Sequence, residues 1–201
     1  MYSQFVEQVK RYRQCRLTRM VLALTHTMKI SPIYLSFLLI LSYNSQTTFA
    51  AEEEKVRFAE LDAYWAEVSR AVREGDFEGY KATCHEKGVL VSGTKKTSYP
   101  LSKALIRWKK EFTATKAGEV EAKVEFRFSQ RLGDETTAHE TGIFLYSFTD
   151  SEGLWKKDYV NFQALLLKGE DGWKIMMEYQ HSRATKDEWY ALAGKGQKRL
   201  R

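Results

Sequence analysis

Residues 120–128 alternate apolar and charged side chains without a break. Val120, Ala122, Val124, Phe126 and Phe128 share one parity, and Glu121, Lys123, Glu125 and Arg127 the other. A period of two places the first set on one face of a β-strand and the charges on the opposite face. Three further segments rich in β-branched and aromatic residues follow at hairpin spacing. Gly133-Asp134 turns the chain into residues 136–148, residues 150–153 turn it into 157–168, and residues 169–172 turn it into 173–182. Connections this short join antiparallel neighbours, so the second half of the chain is a four-strand meander. Both faces of the third and fourth segments carry apolar residues, one for packing on helices and the other for a second subunit.

The first half is helical. Leu61, Trp65, Val68 and Val72 recur at spacings of four, three and four, behind an acidic Glu52-Glu53-Glu54 start that suits a helix N-terminus. Gly75 ends this helix, and Asp76 caps a second whose stripe is Phe77, Tyr80 and Cys84. Residues 88–93 form a short strand bounded by glycines, and residues 95–99 a polar loop. Pro100 opens a third helix with Leu101, Leu105, Trp108 and Phe112 on one face. The expected fold class is α+β, in the order α-α-β-α-β-β-β-β, with three N-terminal helices packed on a mainly antiparallel sheet. After Ser182, residues 186–192 allow one or two helical turns, and residues 194–201 form a basic, solvated tail.

Charge and the N-terminus fix the setting. Of 32 Lys and Arg and 26 Asp and Glu, six basic residues and one acid fall within residues 1–50, leaving 26 against 25 in residues 51–201. The basicity therefore belongs to the N-terminus, and no phosphate-tracking face for nucleic acid is expected on the domain. Residues 30–41 are almost wholly apolar, and Thr48-Phe49-Ala50 presents small residues at the −3 and −1 positions of a cleavage site. The run is shorter than the roughly 20 residues of a membrane span. An export signal starting at Met28 and cleaved after Ala50 is expected, with an uncleaved membrane anchor as the minor alternative. The chain then divides into an extension and signal over residues 1–50, a domain over 51–185 and a short helix with its tail over 186–201. Cys84 remains alone after cleavage, so no internal disulfide forms, and its neighbour His85 does not face it on a helix.

The order of motifs carries a resemblance. Trp65, Gly75-Asp76-Phe77, Tyr80, the strand at 89–91 and the closing Gly172-Trp173-Lys174-Ile175 with His181-Ser182 together resemble the nuclear-transport-factor-2-like superfamily, and within it the SnoaL-like proteins. The likeness covers about residues 53–183. It implies a curved sheet wrapped around the helices into a conical cavity, commonly in a homodimer. It does not imply one reaction, because this fold hosts several chemistries and none. The ketosteroid isomerases of the superfamily place a carboxylate base after the first strand. Here that stretch reads Val91-Ser92-Gly93, and Val68 stands where their helical tyrosine would be. Steroid-type isomerisation is therefore disfavoured.

Strand parity selects candidate site residues. Trp173, Ile175, Met177, Tyr179 and His181 share one parity of the last strand. If that face is concave, Tyr179 and His181 approach the mouth, where an imidazole could serve as acid or base. Glu140 shares parity with Phe144, Tyr146 and Phe148, and its neighbour His139 faces the other way. The candidate catalytic set is thus His181, Tyr179 and Glu140. The candidate ligand-binding set is Tyr64, Trp65, Phe126, Phe144, Tyr146, Phe162 and Met177, suited to a small, largely apolar molecule. Asn161, Gln163, Met176, Glu178 and Gln180 fall on the opposite face by the same rule. No metal is expected, since His85, His139, His181 and Cys84 offer no ligand pair at metal-binding spacing, and no cofactor loop is present. Three functions are compatible with this reading. They are a small-molecule binding domain, a cofactor-independent dehydratase, isomerase or hydrolase using a pocket histidine, and a non-catalytic interaction module whose sheet face meets a partner.

Overall fold

The computed structural model describes residues 32–196, with side chains described from 51 to 193. The Met28 start and its Lys29 flank lie outside the described residues, and so does most of the basic tail. The chain divides into two compact units, Met1–Glu52 and Glu53–Arg201; the second contains every contact discussed below. No helix among the described residues is long and apolar enough to cross a membrane.

Helix α1 (Pro32–Glu74) contributes the expected stripe, with Leu61, Trp65 and Val68 buried and Val72 half-buried. The short α2 (Phe77–Ala82) begins at Asp76, whose carboxylate accepts the Gly79 N–H at 2.9 Å. Arg70 holds that same carboxylate at 2.6 Å and keeps its pKa below the usual range, helped by the Gly79 bond. Strand β1 (Cys84–Ser92) is longer than its sequence pattern suggests, and Cys84 opens it instead of continuing the helical stripe. Residues 95–99, read above as a loop, largely form β2 (Thr97–Pro100), paired antiparallel with β1 through a hairpin at Lys96. A polar edge strand carries no apolar alternation, so its composition resembles that of a loop. Pro100 then caps α3 (Leu101–Lys116), which buries Leu101, Leu105 and Phe112 as its stripe predicts.

The meander follows as β3 (Ala122–Gly133), β4 (Thr137–Thr149), β5 (Trp155–Gly169) and β6 (Gly172–Arg183). The six-stranded order is β2-β1-β6-β5-β4-β3, antiparallel throughout except for the parallel pair β1–β6. The sheet curves around α1 and α3, and one core joins Leu61, Trp65, Leu101, Phe162, Leu166 and Ile175.

Two irregularities interrupt β6. Ile175 pairs with Leu166 and Met177 with Leu165, which leaves Met176 as an extra residue; Gln180 and Ser182 pair with Phe162 and Asn161, which leaves His181 extra. Each inserted residue shifts the alternation by one position. Trp173 and Ile175 face inward, and beyond the first bulge the inward residues are Glu178 and Gln180.

The convex face is partly covered by the chain's own C-terminus, α4 (Lys186–Gly196). Thr185 and Glu188 form a reciprocal capping box: the Glu188 carboxylate accepts the Thr185 N–H at 2.7 Å, and the Thr185 hydroxyl accepts the Glu188 N–H at 3.2 Å. The helix buries Trp189 against Ile143, Leu145 and Tyr159 on that face. Arg127 lies 4.1 Å from the Trp189 ring centroid and donates to its carbonyl at 2.7 Å.

Two glycines separate strain from space. Gly75, at φ +65°, ends α1 so close to α3 that a Cβ would lie 2.4 Å from Lys116 N and 2.6 Å from Phe112 O. Gly118, at φ +75°, ends α3 with nothing within 4 Å of that position. Gly118→Ala is expected to lose about 1–2 kcal/mol of stability from left-handed backbone strain alone. Gly75→Ala adds steric displacement of about 1–3 kcal/mol to that strain. Denaturant midpoints of the two variants check the ranking.

Candidate functional site

A cavity of about 280 Å³ remains between the helices and the concave face. From α1 it is bounded by Tyr64, Trp65, Val68 and Val72, and from α3 by Trp108, Glu111, Phe112 and Thr115. Tyr80, Thr83 and Cys84 close one side where α2 passes into β1. The sheet supplies Phe126, Phe144, Tyr146 and Phe162, and β6 supplies Ile175, Glu178 and Gln180. Six of the seven residues expected to contact a ligand therefore line one cavity. Met177 does not, because the bulge at Met176 turns it to the other face of β6.

The same bulge removes two of the three catalytic candidates. Tyr179 and His181 lie on the convex side, their rings 5.3 Å apart, and His181 is exposed with Nδ1 3.1 Å from Ser182 Oγ. His181 borders a separate groove shared with Asn161, Gln163 and Glu188. There the Asn161 amide donates to Ser182 Oγ at 3.2 Å, and Gln163 Oε1 lies 3.4 Å from His139 Nε2. An imidazole acting inside the cone is thus ruled out for His181.

Glu140 faces inward as expected but is not a rim acid. It is fully buried, accepts the Trp65 indole N–H and is paired with Arg131, which also reaches Asp62 at 2.5 Å. Its oxygens are occupied by donors from α1 and β3, so it fixes Trp65 in place instead of meeting a ligand.

Simple alternation puts two polar residues of the cavity, Glu178 and Gln180, on the wrong face. Glu178 stands among apolar walls and receives a hydrogen bond from the Gln180 amide at 2.7 Å. Burial raises its pKa, and the Gln180 bond partly opposes that rise. Burial likewise pushes the Tyr64 and Tyr80 hydroxyls far above their usual range and Tyr146 up to about 12. Tyr64 donates to the Thr83 carbonyl at 3.2 Å. Cys84 is pushed up to about 12 by burial and donates to the Tyr80 carbonyl at 3.6 Å, so it is no nucleophile near neutral pH. The sequence does hold a trace of the bulge: Ile175, Met176 and Met177 are three successive apolar residues in an otherwise alternating strand. Among the described residues no cluster of His, Cys, Asp or Glu could hold a metal ion.

Comparison with known proteins agrees with this architecture. The family model described as the calcium/calmodulin dependent protein kinase II association domain matches residues 57–185. A function-unknown protein from Mycobacterium tuberculosis superposes with a TM-score of 0.53 at 15% identity, covering 72% of this chain and 88% of that one. A conserved protein from Planctomyces limnophilus superposes with a TM-score of 0.51 at 11% identity, covering 62% and 94%. A structure from Catenulispora acidiphila gives 0.50 at 18% identity, covering 69% and 97%. At these identities the likeness concerns the fold. No curated protein matches the chain.

Removing one member of a buried ion pair strands the other. Glu140→Ala is therefore expected to lose about 3–5 kcal/mol of stability. Glu111→Ala, at the exposed cavity mouth, should stay within about 0.5 kcal/mol. Urea unfolding of both variants measures the difference.

Proposed function

This chain belongs to the calcium/calmodulin dependent protein kinase II association domain family, within the nuclear-transport-factor-2-like superfamily, and we propose that its cone binds a small, largely apolar molecule. The observation that carries the proposal is an aromatic-walled cavity of about 280 Å³ that the core leaves open. Its volume sits at the small end of ligand pockets, which start at roughly 300 Å³. Its rings come from six separate elements, so a planar or aliphatic body meets aromatic surface from both the helices and the sheet. We read the motif order from Trp65 to His181-Ser182 as SnoaL-like within the superfamily, which supports the same use of the cone. Acid–base chemistry without a cofactor is a second reading, and Glu178 favours it, as a carboxyl group with a raised pKa inside the cavity.

Thermal unfolding in the presence of a panel of small apolar molecules tests binding. A ligand at about 100 times its dissociation constant adds roughly 2.7 kcal/mol. Val72→Trp, which places an indole in the cavity, should abolish the shift, and His181→Ala should preserve it. A flat response across the panel sinks the proposal.

We further propose export, supported by the apolar run at residues 30–41 and the small residues before Ala51. Edman sequencing of the protein recovered outside the cytoplasm should begin at Ala51; recovery of the uncleaved chain from membranes would favour an anchor.

A further inference from the structure

Two inward-facing carboxylates of the sheet are treated in opposite ways. Glu140 is fully buried, is paired with the Arg131 guanidinium and accepts a hydrogen bond from the Trp65 indole. Among the described residues Glu178 has no cation beside it, and the hydrogen bond it accepts is the one from the Gln180 amide, to Oε1. The nearby Tyr64 hydroxyl is committed to the Thr83 carbonyl and does not serve Glu178. Glu178 is half-buried, and a carboxylate partly withdrawn from water is stabilised by a proton or by a counter-charge. The side open to such a counter-charge is the cavity.

The remainder of the lining points the same way. Among the described residues that border the cavity, the charged ones are Glu111, Asp158 and Glu178, with no Lys, Arg or His. Asp158 lies 4.0 Å from the exposed Arg183, which offsets part of its charge, and Glu111 is exposed. Rings, including Tyr80, Trp108, Phe112 and Tyr146, line the same cavity as Glu178. Ring faces attract cations, and more strongly when water is excluded. An anionic ligand would meet carboxyl groups and no cation among the lining residues. A neutral one would offer Glu178 no counter-charge.

We propose that the cone is a site for an organic cation, an ammonium group carried on an apolar body, with the ammonium beside Glu178 and the body against Trp65, Phe126 and Phe162. The inference rests on the reading of the cone as a small-molecule pocket and narrows the class of ligand. Burial raises the Glu178 pKa, and a bound cation favours its charged form. Binding of a permanently charged ligand therefore strengthens as pH rises through the Glu178 pKa and weakens as pH falls through it. Tyr64, Tyr80, Tyr146 and Cys84 face the same cavity and stay protonated across that window, because burial raises each of them. Glu111 and Asp158, at the mouth, shape the field at the entrance without contacting the ammonium.

The test uses benzyltrimethylammonium and its neutral isostere neopentylbenzene, which differ by one charge at nearly equal shape. Titration followed by the fluorescence of the protein's tryptophans, two of which (Trp65 and Trp108) border the cavity, compares their affinities for the full chain. The cation is expected to bind at least about tenfold more tightly than the isostere. It should lose about tenfold per pH unit below the Glu178 pKa, while the isostere does not respond. Glu178→Gln should erase the preference, and the wild-type pH profile gives the same answer should that variant fail to fold. Equal affinities, a flat pH profile or a preference retained in Glu178→Gln overturns the cation assignment and leaves the pocket reading standing. Binding of neither probe to the wild-type protein overturns both.

Discussion

Trp65 joins the helical layer to the sheet through two forces at once. Its ring packs 4.4 Å from Phe126 and 5.8 Å from Phe162, which bury apolar area, and its indole N–H is held by Glu140. Apolar packing alone tolerates sliding, whereas a hydrogen bond to a buried, charge-paired carboxylate fixes position. That anchor sets the distance of α1 from β3 and β4 at one end of the cone. The Gly75 contact with α3 sets the separation of the helices at the other. The cavity is the space these two fixed points leave, and its apolar walls follow from the side chains already needed around Trp65.

Legibility in the sequence followed the strength of periodic signals. The stripes of α1 and α3, the alternation of β3 and the hairpin order of β3 to β6 were all readable, because each repeats a simple period over many residues. Six of the cavity-facing aromatic residues could be named for the same reason. Two elements carried no such signal. Strand β2 is a polar edge, and α2 is shorter than its apolar spacing suggests, so Cys84 was placed on a helix that ends at Ala82. The costlier failure was β6. Parity works only while the ladder is regular, and one inserted residue at Met176 exchanges the roles of His181 and Glu178. The catalytic candidates drawn from that strand were therefore drawn from its wrong side.

The capping of α4 and the seat of Trp189 change the meaning of the apolar residues on the convex face. Ile143 and Leu145 have a parity suited to an interface, and part of that demand is met within the chain by Trp189. The two faces of the sheet thus have distinct occupants, a ring-lined cavity within and a C-terminal helix without. Fold membership alone conveys neither, since the superfamily shares the cone and varies what fills it.

The strand order also dictates when this domain can exist. β6 is the last strand in the sequence but sits third in the sheet, between β1 and β5, and it alone bridges the two halves. Until residues near 180 have left the ribosome, β1 and β2 form an isolated ribbon, and β3 to β5 a sheet whose β5 edge is unpaired. Closure then requires a contact spanning roughly ninety residues, the kind of non-local pairing that slows folding and exposes strand edges meanwhile. A nascent chain truncated before Trp173 would therefore lack a complete ladder and a finished cone alike. Glu178, the carboxyl group that borders the cavity from the sheet, belongs to that closing strand.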